Sequence, residues 1–343
     1  MFGFPNSTIT ILSIDGGGIR GLIPALVLKE LEERLARRRN AQPLPRLFDL
    51  MAGTSTGGLI ALGLCAPATS SDGDGYLLEP ALTTDDLIRI YTDRGEEIFP
   101  PWKFRRLRSV LQAFGDKYDA DGLERVLRDS LGDVTVHDAL TNVLITSYDT
   151  ERRTPHLFKS RPRARGDEDL NFYMRDAARA TAAAPTFFEP AHIKPVPENG
   201  ESYCLVDGAV LAQNPALTAY IEARKIFPQA KRFVILSLGT GQTVHRFSYS
   251  EMRTWGYLDW VSPVKGVPLS SMMTDAQSES ANHQLARLPD VQFFRLDGEL
   301  HGVSDAMDDA SSENIMHLRR LAFEIMHNHS EKLDRVCDIL SRR

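Results

Sequence analysis

The stretch Leu47 to Leu64, LFDLMAGTSTGGLIALGL, constrains this chain most. An apolar run that reads as a strand meets a tight turn, and a second apolar run that reads as a helix begins at Thr56. Ser55 stands on the turn between Gly53 and Gly57, in the order G-x-S-x-G. A serine raised on a strand-to-helix turn exposes its hydroxyl, and the helix directs its first amide N–H groups toward it. Glycines two residues to either side remove Cβ atoms that would clash in so sharp a turn. A glycine-rich turn that merely packs closely has the same composition, so the motif needs support from the rest of the chain.

The preceding strand, Thr8 to Ile14, runs into Asp15-Gly16-Gly17-Gly18-Ile19-Arg20-Gly21, and a helix is expected from Leu22 to about Arg38. Gly16, Gly18 and Gly21 match G-x-G-x-x-G, the dinucleotide fingerprint. A dinucleotide unit then wants an acidic residue about 20 positions on, at the end of a second strand. Here that region is RLARRRNAQPLPRLF, basic and proline-broken, which makes a nucleotide-binding module the weaker reading. An oxyanion hole uses the same glycines better, because backbone N–H groups must approach a ligand oxygen with no side chain in the way. If the strands before Gly16 and before Ser55 are parallel neighbours, both loops emerge at one carboxyl edge.

Composition narrows the function classes. A net charge of −6 gives no global attraction to nucleic acid, and 42% hydrophobic residues are ample for a core in 343 residues. Cys65, Cys204 and Cys337 are odd in number, far apart and without C-x-x-C spacing, so they read as thiols in a reducing compartment. The start MFGFPNSTIT has no basic n-region, and no stretch approaches the ~18 apolar residues of a spanning helix. A soluble cytoplasmic protein is expected.

Further along, APATSSDGDG reads as a polar loop and a capped helix starts near Thr84. Trp102, Lys103, Phe104, Arg105, Arg106 and Arg108 interleave aromatic and basic side chains without an acid, a pattern suited to an anionic lipid surface or to a loop packing its aromatics on the body. Strands are expected at Asn142–Tyr148, Pro155–Lys159, Glu201–Val206, Arg232–Leu238 and Val291–Leu296. Helices are expected at Phe172–Ala184, from Asn214-Pro215 to Phe227, near Thr274–Leu288 and, last, after Ser312. The turn Gly239-Thr240-Gly241 lacks G-K-[ST] and receives no nucleotide role. Strands alternating with helices imply an α/β fold, a three-layer α/β/α sandwich with a mainly parallel central sheet. One domain over residues 1–343 is expected, with its motifs at 9–241 and a helical C-terminal extension at 242–343.

Three motifs now stand in order: DGGGIRG at 15–21, GTSTG at 53–57 and Asp207-Gly208-Ala209. Together they resemble the patatin-like phospholipases. ATAAAPTFF near Ala180, AQNP at 212–215 and LSLGTG at 236–241 also look familial. Gln213 departs from a second asparagine often found there, outside the catalytic pair. The resemblance implies Ser55 as nucleophile, Asp207 as base in a Ser–Asp dyad, Gly16 to Gly18 as oxyanion donors, and Arg20 as a basic residue beside the hole. It implies calcium-independent hydrolysis of acyl esters of membrane phospholipids, no cofactor or metal, and a peripheral membrane location when active. Some bacterial members are antiviral effectors activated by a cyclic dinucleotide, which leaves such an activator or a constitutive lipase open; oligomerisation is open too. A Ser–Asp–His hydrolase is the alternative, with His245, His283, His301, His317, His327 and His329 eligible by chain order.

Overall fold

The structure is a computed structural model that describes residues 8–69, 76–101, 118–160, 170–197, 200–262 and 266–343. Its ten strands are β1 (Thr8–Ile14), β2 (Leu50–Gly53), β3 (Pro67–Thr69), β4 (Tyr76–Pro80), β5 (Asn142–Asp149), β6 (Thr154–Lys159), β7 (Ala191–Ile193), β8 (Tyr203–Asp207), β9 (Arg232–Leu238) and β10 (Val291–Leu296). Eight of them form one sheet in the order β10-β9-β1-β2-β5-β8-β7, with β6 beside β5. The strands from β10 to β5 are mutually parallel; β6, β7 and β8 make antiparallel pairs.

Strand alternation sends each central strand's residues into two separate cores. Leu12 and Ile14 of β1, with Leu236 and Leu238 of β9, pack under helices Leu22–Arg37, Thr56–Cys65 and Ser312–Asn328. Ile9 and Ile11, with Phe233 and Ile235, pack against Ala216, Ala219 and Ala223 of helix Ala216–Ile226 and against Leu285. Two helical layers therefore enclose the sheet, which is the expected three-layer α/β/α sandwich.

Several boundaries differ from the sequence reading. β2 begins at Leu50, because Pro43-Leu44-Pro45 starts a short helix, Leu44–Leu47, where strand was expected. The helix expected over 172–184 spans Met174–Thr181; the chain leaves it early, and Ala183 O accepts Asp207 N–H at 2.9 Å. Within the polar loop expected at 66–75, Pro67–Thr69 instead form β3, which pairs antiparallel with β4; residues 70–75 of that reading lie outside the described residues. Among its described residues the C-terminal third supplies the expected edge strand β10 and helices that were not expected, the short Tyr249–Met252 and Tyr257–Trp260 and the longer Ser330–Leu340, whose Asp334 and Asp338 bind Arg38 at 2.8 and 3.1 Å. The aromatic–basic segment Trp102 to Arg108 lies outside the described residues. Among the described residues no helix is long and apolar enough to cross a membrane.

Candidate active site

β1 and β2 are parallel neighbours with Ile14 opposite Gly53, so the Gly16 loop and the Ser55 turn leave the same sheet edge. Ser55 holds φ +53°, ψ −124°, a conformation that a non-glycine residue keeps only when its surroundings impose it. They do: a Cβ on Gly53 would lie 2.2 Å from Gly57 O, and one on Gly57 would lie 2.2 Å from Ile14 O. Helix Thr56–Cys65, buried on nearly every side, follows at once. Thr181 Oγ1 accepts the Ser55 N–H at 2.9 Å, and Thr54 Oγ1 donates to Ala212 O at 2.7 Å while accepting from Thr146 at 2.7 Å.

The aspartate reaches the serine by an unusual strand arrangement. β6 pairs with β5 over Leu144 to Asp149 and fills one of its edges. On the other edge β2 runs along β5 as far as Ile145, and antiparallel β8 descends from Asp149 to Ser147. The two strands therefore meet head to head across Thr146, which brings the C-terminal ends Gly53 and Asp207 together. The Ser55 side chain lies close enough to the Asp207 carboxylate to favour its charged form. Ala209 N–H donates to Asp207 Oδ1 at 2.8 Å, and Gly208 N–H donates to Thr181 O at 3.3 Å. Thr181 and Ala183 thus tie the serine turn to the aspartate turn. Burial pushes Asp207 up from 3.8 to about 7, against Ala209 N–H and Ser55, which favour the charged form.

The glycine loop lies beside this pair: a Cβ on Gly16 would sit 3.3 Å from Ser55 Cβ. Gly18 has φ +58°, and a Cβ there would strike Met307 O, so only glycine fits without strain. Gly21 lets its turn close on Thr56, whose Oγ1 would be 2.1 Å from a Cβ. Gly16 is not available as an oxyanion donor, because its N–H is committed to Gln213 O at 3.1 Å. Among the described residues no acceptor pairs with the N–H of Gly17 or Gly18, which leaves two donors where three were expected. Arg20 is buried, and its Nε donates to Gly17 O at 3.3 Å. Burial pulls its guanidinium down, with the carboxylates of Asp297, Asp305 and Asp275 opposing.

An ion triad holds the base of the loop. Arg295 grips Asp15 at 2.9 and 2.6 Å, Asp297 at 2.7 Å and Ser237 Oγ at 2.9 Å. Burial raises Asp15 to about 6 against the pull of Arg295. Sequence reasoning did not find Arg295, Asp297, Thr181 or Thr240; nothing local marks them, since each acts on a strand end far away in the chain.

The six histidines eligible for a triad lie elsewhere. His301 pairs with Glu299 at 2.6 Å, His329 meets Asp297 O at 3.2 Å, and His245 stacks on Phe247. His283 and His327 are exposed, and His317 is half-buried. Among the described residues the Asp207 carboxylate accepts from Ala209 N–H, and no histidine acts on it.

A serine on a strained strand–helix turn, placed beside a buried carboxylate and a glycine loop with unpaired amides, has the parts of a serine hydrolase site in an α/β sandwich. The sequence comparisons give the family. The model of the patatin-like phospholipases matches residues 12–220. Patatin-like protein 2 of Oryza sativa subsp. indica is 30% identical over 95% of this chain and 85% of its own length. Patatin-T5 of Solanum tuberosum is 33% identical over 98% of this chain and 90% of its own. The chain belongs to the patatin-like phospholipase family. Another potato relative, 33% identical over 90% of this chain and 83% of its own length, carries the name "Probable inactive patatin-3-Kuras 1". Membership alone therefore does not make a chain active, and the geometry at Ser55 and Asp207 carries the functional argument.

Proposed function

We propose that the protein hydrolyses fatty-acyl esters of membrane phospholipids with a Ser55–Asp207 dyad. The observation that carries the reading is the placement of Ser55, on its strained turn, beside a buried carboxylate whose pKa is raised to about 7. A carboxylate at its ordinary value is too weak a base for a hydroxyl at neutral pH; one tuned near 7 combines ionisation with proton affinity. Asp207 takes the Ser55 proton as Oγ bonds to the ester carbonyl carbon, and the carbonyl oxygen becomes an oxyanion facing Gly17 and Gly18 N–H. The tetrahedral intermediate collapses, the C–O bond to the glycerol oxygen breaks, and Asp207 returns the proton to that oxygen. Water, deprotonated by Asp207, then attacks the acyl carbon, the bond to Ser55 Oγ breaks, Asp207 returns the proton to Oγ, and the fatty acid leaves.

The enzyme acts at the membrane surface, since its substrate lies there, as a peripheral protein. Fatty-acid release from mixed phospholipid vesicles tests the reading, with wild type and Ser55→Ala compared with and without a panel of cyclic dinucleotides. Wild type releases fatty acid, and Ser55→Ala, folded to the same melting temperature, releases none. Release without nucleotide marks a constitutive lipase; release only with one marks a switched effector. Equal release by Ser55→Ala and wild type overturns the serine mechanism.

A further inference from the structure

We propose that Thr240 and Gln213 are positioning residues that aim the Gly17 N–H at the oxyanion by holding the opposite end of the same peptide group. The inference rests on the Ser55 mechanism above and adds to it the means by which the hole is kept in shape.

In a trans peptide the carbonyl and the following N–H point in opposite directions from one rigid plane. Fixing Gly16 O therefore fixes the direction of Gly17 N–H. Two side chains do so: Thr240 Oγ1 donates to Gly16 O at 2.5 Å and Gln213 Nε2 donates to it at 2.7 Å. Gln213 also accepts the Gly16 N–H on its backbone oxygen at 3.1 Å, so the preceding peptide is pinned from the same side. The next plane is treated alike. Gly17 O accepts from Arg20 N–H at 3.2 Å and from Arg20 Nε at 3.3 Å, which sets the opposed direction of Gly18 N–H. Both amides without acceptors therefore have their carbonyl partners clamped from behind.

Thr240 is itself held. It is buried, and the next amide, Gly241 N–H, donates to Asp297 Oδ1 at 3.0 Å. Asp297 is bonded to Arg295, which also grips Asp15 immediately before the glycine loop. The turn that carries Thr240 and the root of the glycine loop are thus fastened to one guanidinium. Peptides rich in glycine would otherwise rotate easily, and an oxyanion donor contributes only when it is oriented before the charge develops.

The test measures kcat and KM on a soluble short-chain ester for wild type, Thr240→Val, Thr240→Ser, Gln213→Met and the Thr240→Val/Gln213→Met double variant. Thr240→Val keeps the shape and removes the donor; Thr240→Ser keeps the donor. The expected result is a loss of about tenfold to a hundredfold in kcat for Thr240→Val with KM within about twofold. Thr240→Ser should recover most of the loss. The acid limb of the pH profile should stay in place, because Asp207 is untouched. Gln213→Met should show the same kcat-only loss, less than additive with Thr240→Val because both act on one peptide. If Thr240→Val fails to fold, Gln213→Met decides by the same criterion. A kcat within twofold of wild type, a loss carried by KM, or a serine variant as impaired as the valine variant overturns the proposal. Failure of the serine mechanism is visible separately, as full turnover by Ser55→Ala.

Discussion

Asp207→Asn should destroy turnover and stabilise the fold, and the gain should depend on pH in a way set by the buried carboxyl. The folded-state pKa of about 7 lies above the ordinary 3.8. A carboxyl raised in this way binds its proton more tightly in the folded protein than in the unfolded chain. Its effect on stability is absent below about pH 4, and the fold loses stability as pH rises toward about 7. A shift of roughly 3 units at about 1.4 kcal/mol per unit gives a ceiling of about 4 kcal/mol. Asparagine is neutral throughout, and its Oδ1 can keep the 2.8 Å bond from Ala209 N–H, so it escapes the penalty. Urea unfolding should find the variant more stable by roughly 2 kcal/mol at pH 5 and about 4 kcal/mol at pH 8. The melting temperature at pH 8 should rise by about 5 °C for a chain of this size. The same ionisation should cut wild-type kcat/KM about tenfold for each pH unit below about 7. A variant no more stable than wild type at pH 8, or one with an equal gain at pH 4, would refute the buried, charge-penalised base.

Two further outcomes are expected. Single alanine variants of His245, His283, His301, His317, His327 and His329 should each keep turnover within a few-fold of wild type on vesicles; one folded variant as inactive as Ser55→Ala would replace the dyad by a triad. Arg295→Met should lower stability by about 3–5 kcal/mol at pH 8, because it leaves the Asp15 and Asp297 carboxylates buried and unpaired. The loss should shrink as pH falls toward about 6, because Asp15 without Arg295 to lower its pKa takes up its proton above the wild-type value, and an equal loss in urea melts at pH 5 and pH 8 would count against that account.

What was legible in the sequence follows from how local each constraint is. The serine turn could be read because its pattern is local, with Gly53 required by atoms of Gly57 in the same turn, although Gly57 itself is required by the neighbouring strand end, Ile14. The glycine loop was legible as a loop but not as a donor set, since the partner that takes Gly16 N–H, Gln213 O, comes from a segment 197 positions away. Thr181 and Thr240 lie in runs that look familial, but nothing local gives either hydroxyl a role. Each role arises only when segments 126 and 224 positions apart come together.

The meeting of β2 and β8 was beyond sequence reasoning for a related reason, and it accounts for how the proposed base can reach the serine without a histidine between them. A strand edge normally accommodates one neighbour, and β5 divides its edge between two, one parallel and one antiparallel. Two strand ends that face each other bring the residues beyond them close together, so the Asp207 carboxylate lies beside the Ser55 turn. In a sheet where both residues followed parallel strands, the ends would lie side by side at least one strand spacing apart, ~4.8 Å, and a longer side chain such as histidine would have to bridge the gap. The proton acceptor here can be a short carboxylate because the backbone closes the distance. This placement also buries that carboxylate, and the burial that brings it beside the serine is what raises its pKa into the working range of a base.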